Sequence, residues 1–203
     1  MLETSQVILA SGSRARYSLL KSAGLAFTVI PADVDETAVR ETLMSDNPEI
    51  DPIDIADVLA RVKGEAVSAA NPDSLIIAGD QVLALGPEIF SKPTDIESAR
   101  ECLKKLRGQT HQLHSAVVLA ENGEVTWAHV ETADMTMRNF STMFLSEYLV
   151  KAGDAVCHSV GGYQLEGLGI QLFEKIDGDY CTILGLPLLP LLAELRQRNV
   201  LTS

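Results

Sequence analysis

Short apolar runs alternate with segments of helical period along most of this sequence. Residues 7–10 form an apolar run that ends at Ser11-Gly12-Ser13, and residues 14–23 then carry helical spacing up to Gly24, a usual terminator. Residues 27–30 read as a second strand. Past a polar stretch holding Pro48 and Pro52, the positions Ile53, Ile55, Ala56, Leu59, Val62, Ala66 and Val67 recur with helical period, and Lys63 sits among them. Residues 75–78 and 82–85 read as two strands flanking Gly79-Asp80-Gln81. The spacing predicts a helix over 96–106, closed by Gly108. Two longer strands follow over 111–120 and 125–137, joined at Asn122-Gly123, a strong hairpin signal. Ser141 is placed to cap a helix over 142–150. Residues 170–176 read as a strand, Asp177-Gly178-Asp179 as a turn, and 187–198 as a last helix with proline in its first turn.

The pattern is α/β, a mixed twisted sheet of parallel and antiparallel strands covered by helices. A length of 203 residues with 46% hydrophobic content suits a single domain over 1–203, compact or two-lobed, that folds unaided. The formal charge of −12 argues against nucleic acid as a partner, whose binding surfaces are basic, and against an anionic membrane surface. No window approaches the roughly 18 apolar residues of a membrane span. The opening residues lack the basic-then-apolar layout of a signal peptide, so a cytoplasmic protein is expected. Cys102, Cys157 and Cys181 are odd in number and far apart, which predicts reduced thiols and neither a disulfide scaffold nor a zinc site. His111 and His114 lie three apart in a strand and face opposite sides, so they do not share a metal.

Ionisable residues stand at the ends of several apolar runs, where isolated charge is unusual unless something binds. The turn Ser11-Gly12-Ser13 leads into a helix with Arg14 and Arg16 in its first turns. Backbone N–H groups, hydroxyls, a helix N-terminus and a forked guanidinium together make a phosphate site. Taken alone, the same residues read as an ordinary N-cap with solvated arginines. The other candidates are Asp33-Val34-Asp35-Glu36, Lys63, Gly79-Asp80-Gln81 and Ser91-Lys92-Pro93. Water attack on a polyanionic phosphate needs a carboxylate to take a proton or hold a metal, and cations to absorb charge on the leaving group. Asp80 and Glu36 are of the first kind; Arg16, Lys63 and Lys92 are of the second. Asp33, Asp35 and Glu36 stay interchangeable on this reading.

In their order along the chain these segments resemble the Maf-like nucleoside triphosphate pyrophosphatases, over nearly the whole length. Ala10-Ser11-Gly12-Ser13-Arg14-Ala15-Arg16 matches the opening Ser-x-Ser-x-x-Arg signature, Val34-Asp35-Glu36 the acidic element, Lys63 the helical lysine, and Gly79-Asp80-Gln81-Val82 the segment of the catalytic aspartate. Lys92-Pro93, the run from Leu106 to His111, the glycine-rich run from Gly161 to Gly169, and Gly185-Leu186-Pro187-Leu188 complete the set. The resemblance implies a Maf/ITPase-like fold with a cleft between two lobes. It also implies hydrolysis of a nucleoside triphosphate to the monophosphate and pyrophosphate with a divalent metal, Mg2+ or Mn2+. The implied catalytic residues are Asp80, Lys92 and Lys63, with Glu36 and Asp80 on the metal and Ser11, Ser13, Arg16, Gln81 and Glu166 on the substrate. A homodimer is a further implication.

Where many members read Ser-Pro-Arg-Arg, this chain reads Ser13-Arg14-Ala15-Arg16, which puts one phosphate contact in question. Where the pyrimidine-preferring branch has Ala-Asp-Thr and Ile-Gln-Gly, this chain has Gly79-Asp80-Gln81 and Leu165-Glu166-Gly167, and Ser159 replaces that branch's lysine. These features resemble the branch associated with 7-methyl-GTP more than the branch associated with dTTP and UTP. N7-methylation makes guanine cationic, and a carboxylate about 4 Å away gains roughly 4 kcal/mol of gross attraction at an effective dielectric near 20. Glu166 would supply that carboxylate, and it also accepts from the N1–H and N2–H edge of guanine. Two rival readings are a nucleotidyltransferase, whose loop needs further glycines that Ser13-Arg14-Ala15 lacks, and a non-catalytic nucleotide-binding regulator of cell division.

Overall fold

The structure, a computed structural model, describes residues 6–202. In chain order its elements begin with β1 (Gln6–Leu9), α1 (Arg14–Ser22), β2 (Thr28–Val29), α2 (Glu36–Asp46), α3 (Pro52–Ala70), β3 (Ser74–Leu85), β4 (Glu88–Phe90) and α4 (Ile96–Leu106). There follow β5 (Thr110–Glu121), β6 (Glu124–Met137), α5 (Thr142–Ala152), three short 3-10 turns, β7 (Phe173–Asp177), α6 (Tyr180–Ile183) and α7 (Leu188–Gln197). The strands hydrogen-bond in the order β2-β1-β3-β5-β6-β7, with β4 on β3. β1 pairs parallel with β2 and β3, whereas β3/β4 and β6/β7 are antiparallel. The fold is therefore mixed α/β, as the alternation of patterns predicts.

Packing divides the chain into two compact units. One holds the chain up to Gln81, Ser115–Glu131 and the chain from Asp179 onward; the other holds Val82–His114 and Thr132–Gly178. In the first unit, alternation along the strands creates two apolar faces. Val7, Leu9, Leu75, Ile77, Val117 and Leu119 form one face and pack with Leu20 of α1 and with Leu188, Leu191 and Leu195 of α7. Ala78, Val118 and Ala120 form the other, against α3. The approach there is close, since a Cβ on Gly64 would meet Val118 Cγ2 at 3.0 Å. In the second unit, His111, Tyr163 and Phe173 pack ring against ring, and the Tyr148 hydroxyl donates to the Gly162 carbonyl.

Four elements differ from the sequence expectation. Residues 75–78 and 82–85 are not two strands but parts of the continuous β3. Its centre, Gly79-Asp80-Gln81, carries turn-forming residue types, yet a Cβ on Gly79 would stand 2.7 Å from the Ala116 carbonyl oxygen, so glycine serves a close strand approach and makes no turn. The polar stretch after residue 30 holds α2, which buries no residue and so shows no apolar period. Residues 170–176 begin as a 3-10 turn, Leu168–Leu172, before β7 starts at Phe173. The short β4 follows a turn at Gly86, whose φ is +58°. The hairpin at Asn122-Gly123 has φ of 53° and 83°, the left-handed pair that a two-residue hairpin requires. Among the described residues no helix is long and apolar enough to cross a membrane, and the three cysteines are free.

Candidate active site

The first unit gathers Ser11, Ser13, Arg16, Glu36, Lys63, Asp80 and Gln81 of the residues singled out from sequence. β1 ends against β3, where the Ala10 amide donates to the Ile77 carbonyl at 2.8 Å, and the chain then turns through Ser11-Gly12-Ser13 into α1. Ser13 caps α1, its hydroxyl accepting from the Arg16 amide at 3.3 Å, and Ser11 Oγ accepts from the Ser13 amide at 3.3 Å. The N-cap reading and the anion-site reading thus rest on the same atoms. Arg16 is buried: its Nε donates to the Gly185 carbonyl at 2.7 Å and an Nη1 hydrogen to Ser11 Oγ at 3.1 Å. Burial pulls the guanidinium below its ordinary value, while Asp80 and Glu36 pull the other way.

Asp80 stands mid-strand in β3 with its side chain 8% exposed. Lys63, reaching out from α3, donates to Asp80 Oδ1 at 2.6 Å and lies 2.7 Å from Glu36 Oε1. One ammonium therefore joins two carboxylates from separate elements, the strand β3 and the first turn of α2. Asp35 is the cap of α2, its Oδ1 accepting from the Ala38 amide at 3.0 Å. That geometry separates roles which the sequence leaves open. Burial pushes the Asp80 carboxyl above its usual range, opposed by the charges of Lys63 and then Arg16. Neighbouring strand positions face opposite ways, so Asp80 projects toward the α3 side and Gln81 toward the α1 and α7 side.

Gln81 Nε2 lies within donating distance of Ser115 Oγ at 2.9 Å and of the Ile183 and Thr182 carbonyls at 3.0 and 3.2 Å. Its two amide hydrogens are thereby taken up inside the protein. Lys92 and Glu166 belong to the second unit, and both are exposed there. Glu166 lies within a tight backbone loop in which a Cβ on Gly169 would meet the Gln164 carbonyl oxygen at 2.4 Å. Ser159 Oγ donates to the Tyr163 carbonyl within the same unit. Among the described residues no three His, Cys, Asp or Glu side chains cluster closely enough to hold a metal by themselves.

Sequence reasoning missed Ser115, Thr182 and Ile183 as neighbours of this site. Ser115 sits in an otherwise apolar strand, which is a weak signal; two of the contacts are backbone carbonyls, which no side-chain pattern can mark.

The comparisons agree with one another along the chain. The family model described as "Maf-like protein" matches residues 6–198. A protein of Brucella abortus named 7-methyl-GTP pyrophosphatase is 53% identical over 196 residues, covering 97% of this chain and 98% of that protein. One of Mesorhizobium japonicum with the same name is 52% identical, over 95% of this chain and 96% of that protein. One of Bradyrhizobium diazoefficiens, named nucleoside triphosphate pyrophosphatase, is 51% identical over 97% and 96%. With a family match over residues 6–198 and relatives about half identical over nearly the whole length, this chain belongs to the Maf-like protein family.

Proposed function

We propose that this chain is a nucleoside triphosphate pyrophosphatase that converts a nucleoside triphosphate and water to the monophosphate and pyrophosphate. The observation that carries the reading is Lys63 in contact with both Asp80 and Glu36, with buried Arg16 electrostatically coupled to the same carboxylates. In the reaction the water oxygen bonds to the α-phosphorus and the bridging α,β oxygen departs with pyrophosphate. Asp80 Oδ takes the water proton, a role favoured by a carboxyl raised through burial. Lys63 holds that carboxylate in place and adds positive charge. Gly185 and Ser11 occupy two of the five N–H donors of Arg16, which leaves the others for phosphate oxygens.

Glu36 and Asp80 offer hard carboxylate oxygens, and two such groups are too few for an all-protein cage. That donor set fits an ion shared with substrate phosphates, as Mg2+ or Mn2+ is commonly held. When bound, the ion neutralises phosphate charge.

The nucleobase assigned to the site is 7-methylguanine, with 7-methyl-GTP as substrate. Glu166, an exposed carboxylate within a glycine-rich loop, supports this choice, as do the names of the relatives from Brucella abortus and Mesorhizobium japonicum. The name of the Bradyrhizobium diazoefficiens relative specifies no base, and a dTTP/UTP preference is the second reading. Turnover in heavy-oxygen water tests the bond cleaved: label is expected in the monophosphate, and label in pyrophosphate would exclude attack at the α-phosphorus. Glu166→Gln is expected to lower kcat/KM for 7-methyl-GTP more than for GTP. An unchanged ranking would remove the base assignment.

A further inference from the structure

We propose that Gln81 is a positioning residue that fixes the guanidinium of Arg16 by locking the turn over residues 182–185. The phosphate role of Arg16 rests on the function proposed above; the positional claim stands on the geometry alone. Gln81 Nε2 reaches the Thr182 and Ile183 carbonyls at 3.2 and 3.0 Å, and Ser115 Oγ donates to the same Thr182 carbonyl at 2.7 Å. The next turn of hydrogen bonding passes from that carbonyl to the Gly185 amide, at 2.9 Å. The Gly185 carbonyl then accepts from Arg16 Nε at 2.7 Å. The chain of contacts thus runs Gln81, Thr182, Gly185, Arg16.

Three features give that chain a single arrangement. A Cβ on Gly79, two positions before Gln81 on the same face of β3, would meet Arg16 Nε at 3.5 Å, so the guanidinium lies directly along this face. Gly185 has φ of +94°, and a Cβ there would stand 3.3 Å from Arg16 Nη2. Glu131, which accepts from Thr182 Oγ1, holds the turn from its other side. An arginine in this setting is steered by its acceptors. A planar fork displaced by a fraction of an ångström loses its alignment with phosphate oxygens. Asp80 projects to the opposite face of β3, so substitution at Gln81 is transmitted to the site through Arg16.

The test follows the Arg16 Nε–H resonance by NMR, assigned by its absence in Arg16→Lys, together with kcat/KM. In Gln81→Met, which keeps the length and removes the donors, the Nε–H is expected to exchange with solvent about tenfold faster than in the unsubstituted protein. kcat/KM is expected to fall by a similar factor, and to fall no further when Gln81→Met is added to Arg16→Lys. If Gln81→Met does not fold, Gln81→Asn, which keeps the amide but withdraws it by a methylene, carries the same comparison. Unchanged Nε–H exchange, or additive losses in the double variant, would overturn the positional claim. Absence of pyrophosphate release from the unsubstituted protein would instead remove the proposed function, and the exchange measurement would still decide the role of Gln81.

Discussion

Lys63 Nζ lies 2.6 Å from Asp80 Oδ1, and both side chains are only 8% exposed. A buried pair of this kind costs desolvation on each side, so its stability follows the partner more than the contact. Lys63→Met is expected to destabilise the fold by about 3–5 kcal/mol, because it strands the Asp80 carboxylate. Adding Asp80→Leu to it should restore most of that loss. Glu36→Gln, at a side chain 47% exposed, should cost less than about 1 kcal/mol. Chemical denaturation of the three variants checks the order, and equal losses for Lys63→Met and Glu36→Gln would refute it.

Gly79→Ala places a methyl group 2.7 Å from the Ala116 carbonyl oxygen, a backbone atom that cannot swing aside. Overpacking of this kind is expected to cost about 1–3 kcal/mol. Gly12→Ala is the control, since nothing lies within 4 Å of the added Cβ. Thermal unfolding should separate the two, with a clear drop in Tm for Gly79→Ala alone.

His111 is fully buried, with its Nε2 2.7 Å from the Tyr163 hydroxyl and its Nδ1 without a partner. Burial lowers its pKa to about 4 from an ordinary 6.5. Below pH 6.5 the unfolded chain takes up a proton that the native ring refuses. The stabilisation from the neutral ring is therefore complete above pH 6.5 and lost as pH falls toward 4, by about 3 kcal/mol in all. His111→Gln should flatten the decline in unfolding free energy over this range. Parallel curves for the two proteins would show that other groups carry it.

Gly185→Ala perturbs the Arg16 end of the site without touching either carboxylate. The added Cβ would meet Arg16 Nη2 at 3.3 Å, on a backbone with φ of +94° that alanine rarely adopts. KM for the triphosphate is expected to rise about tenfold or more, through a displaced phosphate contact. A variant with unchanged KM and only a lowered Tm would confine Gly185 to the fold.

Much of this arrangement was legible in the residues, and the gaps have physical causes. Strands and helices with a buried face, such as α3 and β5, carry the period that burial imposes. α2 buries nothing and was invisible for that reason. Gly79-Asp80-Gln81 reads as a break between two strands because glycine and aspartate are turn formers; here the glycine admits a neighbouring carbonyl, and the aspartate is compensated by a lysine seventeen positions earlier. Sequence order placed Glu36, Lys63 and Asp80 on the same list, but only the fold could make Asp35 a helix cap and Glu36 the partner of Lys63. The tie from Gln81 to Arg16 runs through backbone carbonyls and leaves no mark in side-chain chemistry.

The most direct measurement is steady-state pyrophosphate release, with Mg2+ or Mn2+, from 7-methyl-GTP, GTP, UTP and dTTP by the unsubstituted protein and by Asp80→Asn. The expected result is preferential turnover of 7-methyl-GTP, with a loss of about a hundredfold or more in kcat for Asp80→Asn. Turnover that survives in Asp80→Asn, or none on any triphosphate despite nucleotide binding, would contradict it.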